Sequence, residues 1–378
     1  MSSFKNKGKI LVQTATQNHK GHPFGKILDF CPKRGKNNFL SENEINLYSF
    51  LKDAVPIIDA AITKIIRLVG SFSVETPNKF MQKEINDFLF NIKINSFGCG
   101  INDFIFSYLN QLLTYGTAIG EIVINPETNG IFGIYNASLR DVYLINNPKC
   151  IDVMICTKKS GKFIPVTHPE LILISTLNPE PGQIYGNSIM KGLPYVSSIL
   201  LNIFQSISNN WERVGNTRFA VTYKPPQDSF GTGFTQDRAA QIAQEWSRAM
   251  SSSFPSDFIA VGDINIKVIG ADNQILDSQV PVRQLLEQIV SKLSIPPFLL
   301  GLSWSTTETM SEQQTDILTS ELNSYRQILN PIIKKICNIY LNSKNVSSMK
   351  NIKIIWDYTS VKDKLRIAQA EILNSKIK

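Results

Sequence analysis

Apolar and polar positions along the chain change period several times, and each change predicts an element. From Ser41, the segment SENEINLYSFLKDAVPIIDAAITKIIRLVG repeats apolar residues at steps of three and four, the spacing of one helical face. Ser41 and Glu44 form a capping box at its start, and Gly70 closes it. Pro56 predicts a kink or break in the middle, because an interior proline removes a backbone hydrogen bond. The same spacing predicts helices over residues 79–94 and 101–115. Alternation then takes over in GTAIGEIVINPETNGIFGIYNASLRDVYLI, where Ile122, Ile124, Ile131 and Ile134 supply β propensity. Further strands are expected at residues 153–155, 163–166 and 171–175. Residues 41–186 therefore read as an α+β domain.

A long helix is predicted next. Ile189, Leu193, Val196, Leu200, Phe204, Ile207, Trp211 and Val214 follow helical steps through residues 187–214, a length of ~40 Å. Pro194 marks where its packed part begins. Beyond it lies a β–α–β pattern within residues 215–277: strand 219–224, helix 235–251 with Ile242, Trp246 and Met250 on one face, and strand 258–268. Another helix covers residues 280–293, with Pro281 in the first turn, where proline is tolerated. A compact insert carried on two helices implies a stalk with a head. In SKLSIPPFLLGLSWSTTETMSEQQ, Pro296 and Pro297 stop the helix, Gly301 permits a sharp turn, and a Ser/Thr-rich loop carries Trp304. The longest helix follows over residues 311–341, with Leu318, Leu322, Tyr325, Leu329, Ile332, Ile336 and Tyr340 on one stripe and a kink expected at Pro331. NIKIIWDYTS predicts a short strand, and a basic helix closes the chain.

Charge changes this picture in one respect. The net +8 sits at the ends: residues 1–40 carry eight basic residues against Asp29, giving +7, and residues 343–378 carry eight against three, giving +5. The remaining 23 basic and 27 acidic residues leave positions 41–342 at −4. A basic arm is thus expected over 1–40, on a body unsuited to gripping phosphates. Hydrophobic residues make up 43% of the 378, yet no apolar run approaches the ~20 that span a bilayer. MSSFKNKGKILVQ lacks the apolar core of a secretory signal, so the expected compartment is the cytosol. The five cysteines (Cys31, Cys99, Cys150, Cys156, Cys337) have no CxxC spacing and read as reduced core thiols.

Catalytic patterns are missing. His19 and His22, even with Cys31, match no zinc spacing. His168 precedes a proline in a loop, where a surface role is expected. Gly161-Lys162 in KKSGKF lacks the upstream glycine and following Ser/Thr of a phosphate-binding loop, and GxSxG and HExxH do not occur. Glu308 and Glu312 near the start of the longest helix suit its dipole. Neither enzymatic activity nor a metal or cofactor is expected.

Four stretches, in this order, resemble tailed-bacteriophage portal proteins over residues 41–345: YGTAIGEIVI, YGNSIMKGLPYVSSIL, SKLSIPPFLLG and LNSYRQILNPII. The resemblance implies an α+β portal-like fold. Its α/β wing would cover 41–186 and the long helix 311–342, its stem helices 187–214 and 278–300, and its clip 215–277. A tunnel loop would occupy 301–310, and a short crown 343–378. It implies a homo-oligomeric ring, usually of twelve, at one capsid vertex. Double-stranded DNA would pass through the channel during packaging and ejection. The terminase large subunit and then a head–tail adaptor would dock on the clip, with the major capsid protein and scaffold as further partners and no membrane. Such a protein is assembled in the bacterial cytoplasm and ends in the virion.

On this chain the implied tunnel loop holds Ser303, Trp304, Ser305, Thr306, Thr307 and Glu308, hinged at Pro296, Pro297 and Gly301. Trp304 is either an anchor folded back on Phe298 and Leu299 or a channel-facing side chain. Lys224, Arg238, Arg248 and Lys267 in the insert face DNA, the motor or solvent. The C-terminal region is short and basic, which departs from a large helical crown. The other reading is a non-enzymatic nucleic-acid-binding factor that uses the basic N- and C-terminal segments, with strongly salt-dependent affinity.

Overall fold

The computed structural model describes residues 40–127, 130–146, 153–215, 218–224, 244, 263–269, 278–302, 308–344 and 351–357. These divide into two units, residues 200–283 and the remainder, and the chain passes between them within two helices.

The larger unit opens with α1 (Glu42–Ala54) and α2 (Pro56–Val69). Ser41 caps α1, its hydroxyl accepting from the Glu44 N–H at 3.1 Å. Val55 is extended, and Pro56 occupies the first turn of α2, where its missing N–H costs nothing. The break is therefore two helices joined at one residue. Leu40, read from sequence as the end of the arm, instead belongs to the body, buried with Ile45, Ile119, Leu139 and Tyr185.

After β1 (Phe72–Glu75) and α3 (Lys79–Asn91) come β2 (Lys93–Ile94), β3 (Gly98–Cys99) and α4 (Ile101–Tyr115). The helix expected over 79–94 thus ends three residues early. Ile94 pairs with Ile134 as a strand residue and is buried there, which outweighs one more helical turn. The remaining strands of this unit's N-terminal part are β4 (Thr117–Ile124), β5 (Ile131–Asn136), β6 (Val142–Asn146), β7 (Val153–Lys159), β8 (Lys162–Pro165) and β9 (Ile172–Thr176). They form a five-stranded sheet in the order β3-β2-β5-β4-β9 and an antiparallel sheet β6-β7-β8. Ser160 and Gly161 both take positive φ in the β7–β8 hairpin turn, so KKSGKF is a reversal of direction and not a phosphate cradle.

The core lies where α2, α4 and the sheet meet. Ile58, Ile62, Phe104, Tyr108, Leu109, Leu112 and Leu113 are fully buried, each aliphatic side chain contributing ~1.5–3 kcal/mol by leaving water. A 36-residue helix, Glu308–Ser343, packs its stripe of Leu322, Leu329, Ile333 and Ile336 against this core. It runs through Pro331 as one helix, so the proline is carried inside an element that its neighbours hold in place.

The segment assigned to a crown contributes a strand to this unit. Lys353–Trp356 pairs antiparallel with β1, Phe72 opposite Trp356. Arg326, only 8% exposed on the long helix, locks the join. Its guanidinium donates to the Val69 carbonyl at 2.7 and 3.0 Å, to the Asp357 carbonyl at 2.9 Å and to Asn323 at 3.1 Å. It also lies 5.6 Å from the Trp356 ring. Burial lowers its pKa from the ordinary arginine value, and the charge persists because that value is far above neutrality.

In the smaller unit, β10 (Arg218–Lys224) and β11 (Asp263–Ile269) form an antiparallel ribbon, from Arg218 opposite Ile269 to Lys224 opposite Asp263. The strand expected from residue 258 is described only from Asp263, and the helix expected over 235–251 lies outside the described residues. The helix expected over 187–214 is observed as α5 (Leu193–Gly215), beginning beside Pro194. The returning helix, α6, spans Gln279–Lys292, and the 36-residue helix is α7.

Candidate functional site

Two constructions stand where the sequence pointed. The first is the turn between α6 and α7. After Lys292, Ser294 takes φ 53° and Ile295 and Pro296 are buried. Pro296 disfavours helical backbone at Ile295, which fixes the end of α6. Pro297–Leu300 makes one 3-10 turn, closed by Gly301 at φ 75°, whose N–H reaches the Phe298 carbonyl at 3.2 Å. A Cβ on Gly301 would meet nothing within 4 Å, so the demand for glycine here comes from the left-handed backbone alone.

Residues 303–307, with Ser303, Trp304, Ser305, Thr306 and Thr307, lie outside the described residues. Glu308 opens α7, so residues 308–310, expected in the loop, are helical. Lys224 ends β10, paired with Asp263, and Lys267 lies in β11, paired with Ala220. Arg238 and Arg248 lie outside the described residues.

Beside the turn runs an open groove of ≈ 570 Å³ between the end of α6 and the first turns of α7. Val290, Ile295, Pro297 and Ile317 give it an apolar floor, and Glu287 and Glu321 flank it. Within it the Gln314 Oε1 is buried and accepts no hydrogen bond. Burial, with the Glu321 charge second, pushes the nearby Tyr325 phenol up to about 12.

The second construction joins two of the quoted stretches. Gly116 ends α4 at φ 78°, and its carbonyl accepts from the Leu177 N–H at 2.8 Å. Gly186 lies directly against it: its N–H donates to the buried Thr117 hydroxyl at 3.0 Å, and the Asn187 N–H donates to the Leu177 carbonyl at 2.7 Å. A Cβ on Gly186 would stand 2.1 Å from the Gly116 oxygen, and one on Gly116 2.4 Å from the Asn187 carbonyl carbon. Tyr185 is pinned as well, its hydroxyl accepting from the Leu144 N–H at 2.8 Å. Residues 187–192 therefore pack as a folded turn, with the Ile189 N–H on the Leu113 carbonyl at 3.2 Å, and are not the first turns of the stalk helix.

The portal-like stretches contain Tyr115-Gly116 and Tyr185-Gly186 separately but do not announce their contact. Arg326 was missed altogether, although a charged residue inside the Leu322–Leu329 stripe is the signal that marks it. Cys156 and Cys337 are buried as expected, burial pushing the Cys337 thiol up to about 12, whereas Cys99 is exposed, on the edge strand β3. His168 is exposed, 2.8 Å from Glu170. Among the described residues no group of three His, Cys, Asp or Glu is placed to hold a metal, and no helix is long and apolar enough to cross a membrane.

No protein-family model and no curated protein matches the sequence. Solved structures do. A chain in the virion of a native gene transfer agent particle superposes with TM-score 0.60 at 15% identity, over 93% of both chains. A chain in the neck of that native particle, computed with C12 symmetry, gives 0.59 at 15% identity over the same shares. The chain has the fold of a virion neck component. A more distant likeness, TM-score 0.43 at 8% identity over 85% of this chain and 96% of the other, is to an HK97-family phage portal protein from Corynebacterium diphtheriae.

Proposed function

We propose that the chain is a phage-type portal subunit. Twelve copies form a ring at one capsid vertex, and double-stranded DNA passes through its channel in packaging and ejection. The observation that carries this reading is the likeness, over 93% of each chain, to a component of a particle neck computed with C12 symmetry. The four portal-like stretches support it independently, because two of them meet in space at Gly116 and Gly186. A body at −4 also suits a conduit, since each Lys or Arg held on a phosphate adds affinity through counterion release and would slow a sliding duplex.

In this reading the segment between Gly301 and Glu308 serves as the tunnel loop, and the β10–β11 unit as the clip. There Lys224, Arg238, Arg248 and Lys267 meet DNA or the terminase large subunit, and later a head–tail adaptor. Mass photometry of the purified protein tests the assembly. A species near twelve times the 42.4 kDa chain is expected, and a monomer in every buffer at micromolar concentration counts against it.

A further inference from the structure

Three phenylalanines on the α3–β3 side of the larger unit stand largely exposed among the described residues. Phe97 is 101% exposed, Phe90 78% and Phe80 75%. Phe97 sits in the turn between β2 and β3, and that turn is ordered. The Asn95 N–H donates to the Ile134 carbonyl at 3.0 Å, Asn95 and Asn136 exchange bonds of 3.1 and 2.9 Å, and the Cys99 N–H reaches the Asp103 carboxylate at 3.3 Å. A large aromatic held clear of the body on a pinned turn has no packing role among the described residues of its unit. Phe90 stands at the base of the same hairpin, its carbonyl 3.9 Å from the Cys99 Sγ, so the two make an exposed aromatic pair of the kind that marks an interaction surface. A cation accompanies it. Lys93 on β2 holds its ammonium 5.0 Å from the centroid of the Phe132 ring.

The groove beside Pro297 is the complement. Its floor is apolar where the knob is aromatic, and Ile317 in that floor is 64% exposed. Glu287 and Glu321 bring negative charge where the knob carries Lys93, and Gln314 Oε1 is an acceptor lacking a donor. The knob does not fill its own groove, because Phe97 is fully exposed in a unit that contains both.

We propose that the Phe90–Phe97 knob of one copy docks into the Pro296–Pro297 groove of the next, with Lys93 meeting the Glu321 side and an N–H donor of the hairpin satisfying Gln314 Oε1. Knob and groove are different surfaces, so the contact is heterologous and propagates from copy to copy until a ring closes. It rests on the ring reading above and adds which surfaces make the ring. A preordered turn gives up little conformational freedom on docking, and the opposed charges fix its orientation.

Disulfide trapping tests it. Ser96→Cys, beside the knob, and Ser291→Cys, on the groove, are made in separate chains whose Cys31, Cys99 and Cys150 are serine. The two are purified, mixed and mildly oxidised, then run without reductant and weighed by mass photometry. Docking holds the paired thiols at millimolar effective concentration, so the mixture is expected to give about tenfold more linked pair than either chain alone. A linked pair within a ring supports both readings, and a linked pair without a ring supports the contact alone. A ring without the linked pair overturns the knob-and-groove contact and leaves the portal reading standing. Neither ring nor link overturns both.

Discussion

Gly186→Ala adds one methyl group where backbone atoms leave no room for it. The new Cβ would lie 2.1 Å from the Gly116 carbonyl oxygen, 2.4 Å from the Leu177 nitrogen and 2.5 Å from the Leu177 oxygen. All three are backbone atoms, so no side chain can swing aside and the two turns must separate. Overpacking of this kind costs ~1–3 kcal/mol. Separation also strains the bonds from the Gly186 N–H to Thr117 and from the Asn187 N–H to Leu177, each contributing ~0.5–1.5 kcal/mol. The total is about 2–6 kcal/mol. Gly301→Ala is the internal control: its Cβ meets nothing within 4 Å, and only the left-handed backbone at φ 75° costs, by ~1–2 kcal/mol. Urea unfolding followed by circular dichroism is expected to place the Gly186→Ala midpoint about 1 M or more below wild type and well below Gly301→Ala, given slopes of ~1–3 kcal/mol per M. Hydrogen exchange should quicken first at Leu177, Asn187 and Ile189. Equal midpoints for the two variants would refute the steric argument.

Gly301→Val combines the left-handed backbone with a branched side chain and is expected to leave ring mass unchanged while lowering DNA content per particle. Normal packaging by that variant would remove the turn from the mechanism. Arg326→Met deletes four hydrogen bonds and leaves the Val69 and Asp357 carbonyls without their donor, at about 3 kcal/mol. Faster amide exchange across residues 353–357 is the expected signature, and unchanged protection there would show that β1 pairing alone holds the strand. In a chain with Cys31 and Cys150 replaced by serine, maleimide at neutral pH should label Cys99 in the native state, and Cys156 and Cys337 only in denaturant. Native labelling of Cys337, whose thiol burial has pushed up to about 12, would contradict the packing of α7.

What the sequence made legible was local. Residues 101–115 were bounded correctly as α4 because Gly100 and Gly116 stand at its two ends with positive φ. Ser41 and Pro56 marked helix starts by chemistry that acts within a turn. The failures share a physical cause, which is that a distant partner decided the outcome. Residues 92–94 continue a helical pattern, yet Ile94 is taken up by a strand forty residues on, at Ile134. Ile189 fits the stalk spacing, but the Leu113 carbonyl holds it in a turn. Trp356 pairs with Phe72 across most of the chain, a contact no spacing can announce. Of the candidate site, Pro296, Pro297 and Gly301 were readable because the prolines restrict the backbone and glycine readily takes the left-handed turn. The groove beside them was not, since it needs α6 and α7 brought side by side.

Negative-stain electron microscopy of the purified full chain tests the central claim most directly. The account predicts end-on views of a closed ring with twelvefold symmetry and an open central channel. A homogeneous population of single subunits or open filaments, with no ring at any salt concentration, would contradict it.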